Sequence, residues 1–358
     1  MTALTDTALP VLLAPEAGLA AGRAAAVAPP DIGDGIPSTI RWCVDVGAAA
    51  PRIGEGETAT LWELLAQTAH QDVAAARVLE PHLDALNILQ QAGTDPRVDR
   101  DPWRLRSIGV DDRSSWGVFA AEGAGMRVEA RSSATGWTLH GTKPWCSLAA
   151  QLSHALVTAF VGDRRRLFAV ALDAPGVTAQ PGPWVARGLP GIVSAPVDFA
   201  DAPAVPVGEA EWYLRRPGFA WGGMSVAACW WGGALGLRDA LAVAASAERA
   251  DQVALVHLGR VDAALWAARA VLREAADLVD RRADVDARLL AERVRAVCAD
   301  AATQALAEAD AALGPRPLVA DEAHARRVAD LHLYLRQHHG LRDLARLGRL
   351  VLESEGAR

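Results

Sequence analysis

Between Trp116 and Asp201 the sequence holds strand-like segments only, and on both sides of that stretch it is helical. Roughly a hundred residues of β structure with no helix between strands exclude a parallel βαβ sheet, whose crossovers need helices. WGVFAAE, MRVEAR and GWTLHGT are short and rich in β-formers, and SSATG reads as the turn between two of them. HALVTAFV and RRLFAVALDA flank GDR, the best hairpin candidate in the chain. GIVSAPVDFAD ends the region. The pattern predicts a mostly antiparallel β-domain.

Upstream, LWELLAQTAHQDVAAARVLEPHLDALNILQQAG spaces Leu61, Leu64, Leu65 and then Leu83, Leu86 and Leu89 at helical intervals. Pro81 is expected to kink or divide this region, and Gly93 to stop it. Residues 1–57, rich in Ala, Pro and Gly, have room for a short helix or two. After Pro217 four long helical segments, about 220–246, 251–282, 286–313 and 321–353, suit an antiparallel bundle with LGPRPL as the third joint. The expected division is a helical domain over residues 1–110, a β-domain over 111–212 and a helical bundle over 213–358. No Rossmann fingerprint is present, because GAG at 123–125 does not open a helix.

Composition narrows the function. The net charge is −7, and arginine and acid are interspersed with no basic stripe, so nucleic acid is not an expected partner. Cys43, Cys146, Cys229 and Cys298 share no CxxC spacing, so neither a metal site nor a disulfide framework is expected, and a reducing cytoplasm fits. The N-terminus lacks a basic n-region, and MSVAACWWGGALGL is too short to span a bilayer. With 51% hydrophobic residues there is apolar surface to spare, and WWGGALGL is expected to present an uncovered face. That predicts a homo-oligomer, or a heteromer with a related chain.

The helical–β–helical order and one stretch, GWTLHGTKPWCS at 136–147, resemble the acyl-CoA dehydrogenase family. The family motif runs Gly-aromatic-x-Leu-x-Gly-x-Lys-x-Trp-x-Thr/Ser, and this stretch matches every marked position. The resemblance implies an α+β fold of three parts: an N-terminal helical domain, a middle antiparallel β-domain and a C-terminal four-helix bundle. It implies FAD as cofactor, an acyl-CoA thioester as substrate and electron-transfer flavoprotein or a similar acceptor. In the family the Trp packs beside the flavin ring and the hydroxyl reaches the flavin N5 edge. Those roles fall on Trp145 and Ser147, with Cys146 between them. WGVFAAEGAGMR looks like the family's first β-domain motif, placing further cofactor contacts on Ala120 and Ala121; Gly340 is a last one at the bundle's final turn. Lys143, the chain's only lysine, is expected to be a salt-bridging surface residue that stabilises the motif. Cys146 reads as a small buried hydrophobe rather than a nucleophile.

The sequence also departs from the family. Ala121 stands where a Thr side chain would contact the flavin, and Met126 where a Ser follows the glycine. SAERADQVAL is too short for the Arg-x-x-Phe-Gly segment that binds FAD of a neighbouring subunit, and DAALGPRP keeps only Gly314 of a Gly-Gly pair. The catalytic Glu is absent. By count from Tyr334 its place is taken by His338, followed by His339 and Gly340, and WGGMSVAACWWGGALGL offers no acid in the alternative position. His338 is therefore the candidate base, with a structural or flavin-neighbouring histidine as the other reading. Three functions remain open: an acyl-CoA dehydrogenase, a catalytically reduced partner subunit of one, and a flavin monooxygenase of the same fold that needs no α-proton base.

Overall fold

A computed structural model describes residues 35–94, 103–134 and 136–356. The part of the N-terminal stretch before residue 35, and residue 135 of the SSATG turn, lie outside the described residues. The helices are α1 (Gly35–Ala49), α2 (Thr58–Gln71), α3 (Val73–Thr94) and the short α4 (Trp103–Arg106). Seven strands follow: β1 (Trp116–Phe119), β2 (Val128–Ser133), β3 (Gly136–Ser147), β4 (His154–Val161), β5 (Arg164–Ala171), β6 (Val177–Ala179) and β7 (Ser194–Val207). Then come α5 (Trp212–Arg215), α6 (Pro217–Ala245), α7 (Gln252–Asp280), α8 (Ala287–Leu313), α9 (Pro315–Ala320), α10 (Glu322–Tyr334) and α11 (Leu341–Gly356). The chain has the expected helical, β, helical order. It forms two compact units, one from residues 35–50 and 77–222, the other from 51–76 and 223–356.

In the first, β-rich unit the strands run β1-β4-β2-β3-β7-β5, and β4 also pairs β5, so β4, β2, β3, β7 and β5 close on themselves. Most ladders are antiparallel, including the β4–β5 hairpin around Gly162–Asp163. Two are parallel, β1 on β4 and a single pair of β2 on β4, so the sheet is mixed. Both faces are buried. Val157, Phe168, Val170 and Phe199 fill the inside. Leu156, Leu167, Ala169 and Val207 pack outward with Ala85 and Ile88 of α3 and with Trp212 and Tyr213. That two-sided burial is why β4 and β5 read as continuous apolar runs. Gly141 sits at φ 119, where an added Cβ would lie 2.1 Å from the Arg127 carbonyl oxygen, so the motif's second glycine is required by close backbone approach.

Pro81 lies inside α3 and does not divide it. The break comes at Asp72, whose carboxylate accepts the Ala75 N–H at 3.0 Å and caps the new helix. Within the helical unit, Asp251, Asp286 and Asp321 cap α7, α8 and α10 in the same way. Trp230, Trp231, Ala234 and Leu237 of α6 are buried core, so the expected uncovered face of WWGGALGL is not there; a helix apolar all round is simply enclosed. The fourth expected helix is also not continuous. After α10 comes one 3₁₀ turn (Leu335–Gln337), His338 is extended, and Gly340 at φ 57 reverses the chain into α11. Only a residue tolerant of the left-handed region can make that corner cheaply.

Candidate functional site

The β3 motif is built around a bulge. Lys143 pairs Val197 and Cys146 pairs Ala195, so Pro144 and Trp145 together oppose the single Pro196. The bulge places Trp145 at φ 58, a left-handed conformation that costs a bulky residue about 1–3 kcal/mol. It also turns the indole out of the barrel, leaving it 64% exposed. A large aromatic held in a strained and exposed position is a poor core residue and a good ligand platform.

Its neighbours face the other way. Cys146 lies in the barrel core, its thiol donating to the Lys143 carbonyl at 3.3 Å. Burial pushes that thiol up to about 12, with Lys143 opposing weakly, so it is not a thiolate nucleophile. Lys143 is only 1% exposed, not the surface residue expected. Its ammonium donates to the Glu122 carboxylate at 3.0 Å and to the Thr158 hydroxyl at 2.8 Å. Burial lowers its pKa and Glu122 partly restores it. The chain's one lysine thus ties the loop after β1 to the strand carrying Trp145. In that loop Ala120 is half-buried, Ala121 is exposed, and the Met126 N–H closes a turn onto the Gly123 carbonyl at 3.1 Å.

Ser147 is half-buried and its hydroxyl is already engaged. Arg77 of α3 donates to it from Nη2 at 3.0 Å, and the Ser194 hydroxyl of β7 lies 2.7 Å away. Neither Arg77 nor Ser194 was foreseen from sequence. The only local signal is an arginine inside the otherwise apolar run VAAARVL.

His338 and Gly340 belong to the helical unit. The His338 side chain is 9% exposed; its ring meets Trp230 edge-on at 6.2 Å, and its Nε2 lies 4.0 Å from Asp343. Trp230 is fully buried, its indole N–H has no hydrogen-bond partner among the described residues, and Arg295 stacks on it at 4.8 Å. Burial lowers the His338 pKa, outweighing Asp343, so the ring is neutral. Burial also pushes the Asp343 carboxyl up, but the His339 N–H and Arg346 overcome it and hold the group ionised. His339 points out and Gly340 is exposed. Among the described residues there is no cluster of His, Cys, Asp or Glu that could hold a metal ion, and no helix long and apolar enough to cross a membrane.

No protein-family model matches the chain, and no curated protein sequence matches it. Solved structures do. Butyryl-CoA dehydrogenase from Megasphaera elsdenii superposes with a TM-score of 0.74 at 18% identity, covering 98% of this chain and all (100%) of that one. A nitrososynthase from Micromonospora carbonacea var. africana gives 0.74 at 18% identity, with 94% of each chain covered. KijD3, solved in complex with FMN and a dTDP-linked 3-amino-4-keto sugar, gives 0.70 at 19% identity over 91% of this chain and 85% of that one. What is shared is the fold: the chain has the three-part architecture of the acyl-CoA dehydrogenases.

Proposed function

We propose that this chain is a flavin-dependent oxidoreductase that uses the fold for oxygen chemistry, as a monooxygenase, rather than for dehydrogenation of a thioester. One observation carries the reading: neither base position presents an available carboxylate. The single acid of α6 is Asp239, held by His70 at 2.7 Å. The other position is His338, enclosed behind Trp230 and Asp343. Taking an α-proton requires a base within hydrogen-bond reach of it; transferring an oxygen atom does not. The likeness to a nitrososynthase and to a protein that binds FMN beside an amino sugar supports the same choice.

The β3 bulge fits a flavin ring: Trp145 offers a flat apolar face, Ser147 a polarised hydroxyl, and the backbone at Ala120 and Ala121 a second edge. Less is present for the dinucleotide half of FAD, since the α6–α7 joint is confined to residues 246–251, where Asp251 already caps α7. FMN therefore suffices as the working cofactor. When bound, the flavin supplies the redox chemistry, with one atom of O₂ entering the substrate and the other leaving as water. The chain's own residues would bind and orient it: Trp145 would stack and Ser147 would donate, while Lys143 fixes the loop after β1 against the motif. In this reading O₂ takes the place of electron-transfer flavoprotein as acceptor, and the partner is a source of reduced flavin.

The test supplies reduced FMN to the purified protein and offers ¹⁸O₂ with amine- and thioester-bearing substrates. Label in an organic product is expected, with no dye-linked oxidation of acyl-CoA thioesters. Trp145→Ala should weaken FMN binding on the order of tenfold with circular dichroism unchanged. Dye-linked oxidation of an acyl-CoA by the wild type would overturn the reading.

A homo-oligomer, or a heteromer with a related chain, remains our proposal, on different residues from those first expected. Val253, Leu255, Val256 and Trp266 of α7 and Leu341 and Leu352 of α11 are exposed. These exposed apolar side chains are the proposed interface. Sedimentation should give an oligomer that Trp266→Glu dissociates; a monomeric wild type at micromolar concentration would count against it.

A further inference from the structure

We propose that Arg77 is a positioning residue for the flavin edge: it bars the Ser147 proton from its own side, leaving it only Ser194 or a flavin acceptor, and places a permanent positive charge beside that hydroxyl. This rests on the flavin reading above. A serine hydroxyl has one proton to give and two lone pairs to fill. The Arg77 guanidinium takes one lone pair of Ser147 at 3.0 Å and, having no acceptor, can never receive the Ser147 proton. The second neighbour is Ser194 at 2.7 Å, whose own proton has an alternative acceptor in the Ile192 carbonyl at 3.3 Å.

Only two arrangements satisfy these contacts. With nothing in front of Ser147, its proton goes to Ser194, whose proton goes to Ile192. With an acceptor in front, Ser194 turns its proton from the long contact to the shorter one on Ser147. The Ser147 oxygen then accepts two bonds and gives its proton outward. The charge of Arg77 strengthens that outward bond. An oxidised flavin N5 is an acceptor of the required kind, and a fixed cation near the ring favours the state with added electrons.

The experiment compares wild type, Arg77→Met, Arg77→Lys and Ser194→Ala, titrated with FMN. It records affinity by fluorescence, the flavin absorption band, the midpoint potential and thermal unfolding. Arg77→Met should bind oxidised FMN on the order of tenfold more weakly, as expected for a lost charge-assisted bond, and its potential should move to more negative values. Arg77→Lys should recover part of both. Ser194→Ala should weaken binding a few-fold and leave the potential in place. A folded Arg77→Met with wild-type affinity and potential overturns the proposal. If Arg77→Met does not fold, Arg77→Lys is compared in wild-type and Ser147→Ala backgrounds; equal shifts in both show that Ser147 does not mediate the effect and also overturn it. A wild type that binds neither FMN nor FAD would overturn the flavin reading and this inference with it, an outcome distinct from the others.

Discussion

Lys143→Ala should destabilise the β-rich unit by about 2–5 kcal/mol in urea unfolding at neutral pH, the scale of cutting a long buried side chain back to alanine. Two effects contribute and can be separated. The ammonium is buried, and burial lowers its pKa despite Glu122, so the charge itself is held at a cost. Its partner Glu122 is 37% exposed and can turn to water when the pair is broken. The stem, by contrast, fills enclosed space that alanine would leave empty. Packing is the larger part, so Lys143→Met, which keeps the stem, should cost only about 1–2 kcal/mol against Leu→Ala-type losses for alanine. Both variants should loosen FMN, because the loop after β1 loses its tie to the Trp145 strand. A cost below 1 kcal/mol for alanine would mean that Lys143 does not hold these elements together.

The lone lysine also shows what could and could not be read from sequence. Its rarity marked the motif, but its burial depends on Thr158 of β4 and on Glu122, contacts between elements that no local pattern encodes. The β4–β5 hairpin was legible because two apolar runs flank a Gly-Asp turn. The parallel pairing of β1 with β4 and the closure of the ring were not, since both join segments far apart in the chain. Trp145 and Ser147 were legible as a motif. Arg77 and Ser194 were not, because they reach Ser147 from α3 and β7. The uncovered face assigned to WWGGALGL shows the reverse error: an apolar run says that a surface is buried, not by what. The break at His338–Gly340 carried a visible glycine, yet helical periodicity on both sides masked it.

That break gives the second large effect, and it bears on the base. His338→Glu should cost about 3–5 kcal/mol at pH 7, since it sets an unpaired carboxylate in an enclosed site beside another. Asp343 is 1% exposed and ionised, and the position-338 side chain ends 4.0 Å from it behind Trp230. The contribution of position 338 to the pH dependence should reverse sign. In the wild type the folded pKa of His338 is depressed. The unfolded chain then binds more protons just below the ordinary histidine value of about 6.5, so stability is full above it and falls as pH drops through it. His324, also depressed by burial, adds to that slope. A glutamate at 338 would have its folded pKa raised by burial and by Asp343. Its contribution would be present below the ordinary value of about 4.3 and lost as pH rises through the folded pKa. Urea midpoints between pH 5 and 8 should therefore rise with pH for wild type, rise less for His338→Gln, and rise least or fall for His338→Glu. If His338→Glu were as stable as wild type at pH 7 and oxidised an acyl-CoA thioester with an artificial acceptor, position 338 would be open to substrate. The site would then be a dehydrogenase site lacking only its carboxylate, and the oxygen-dependent reading would fail.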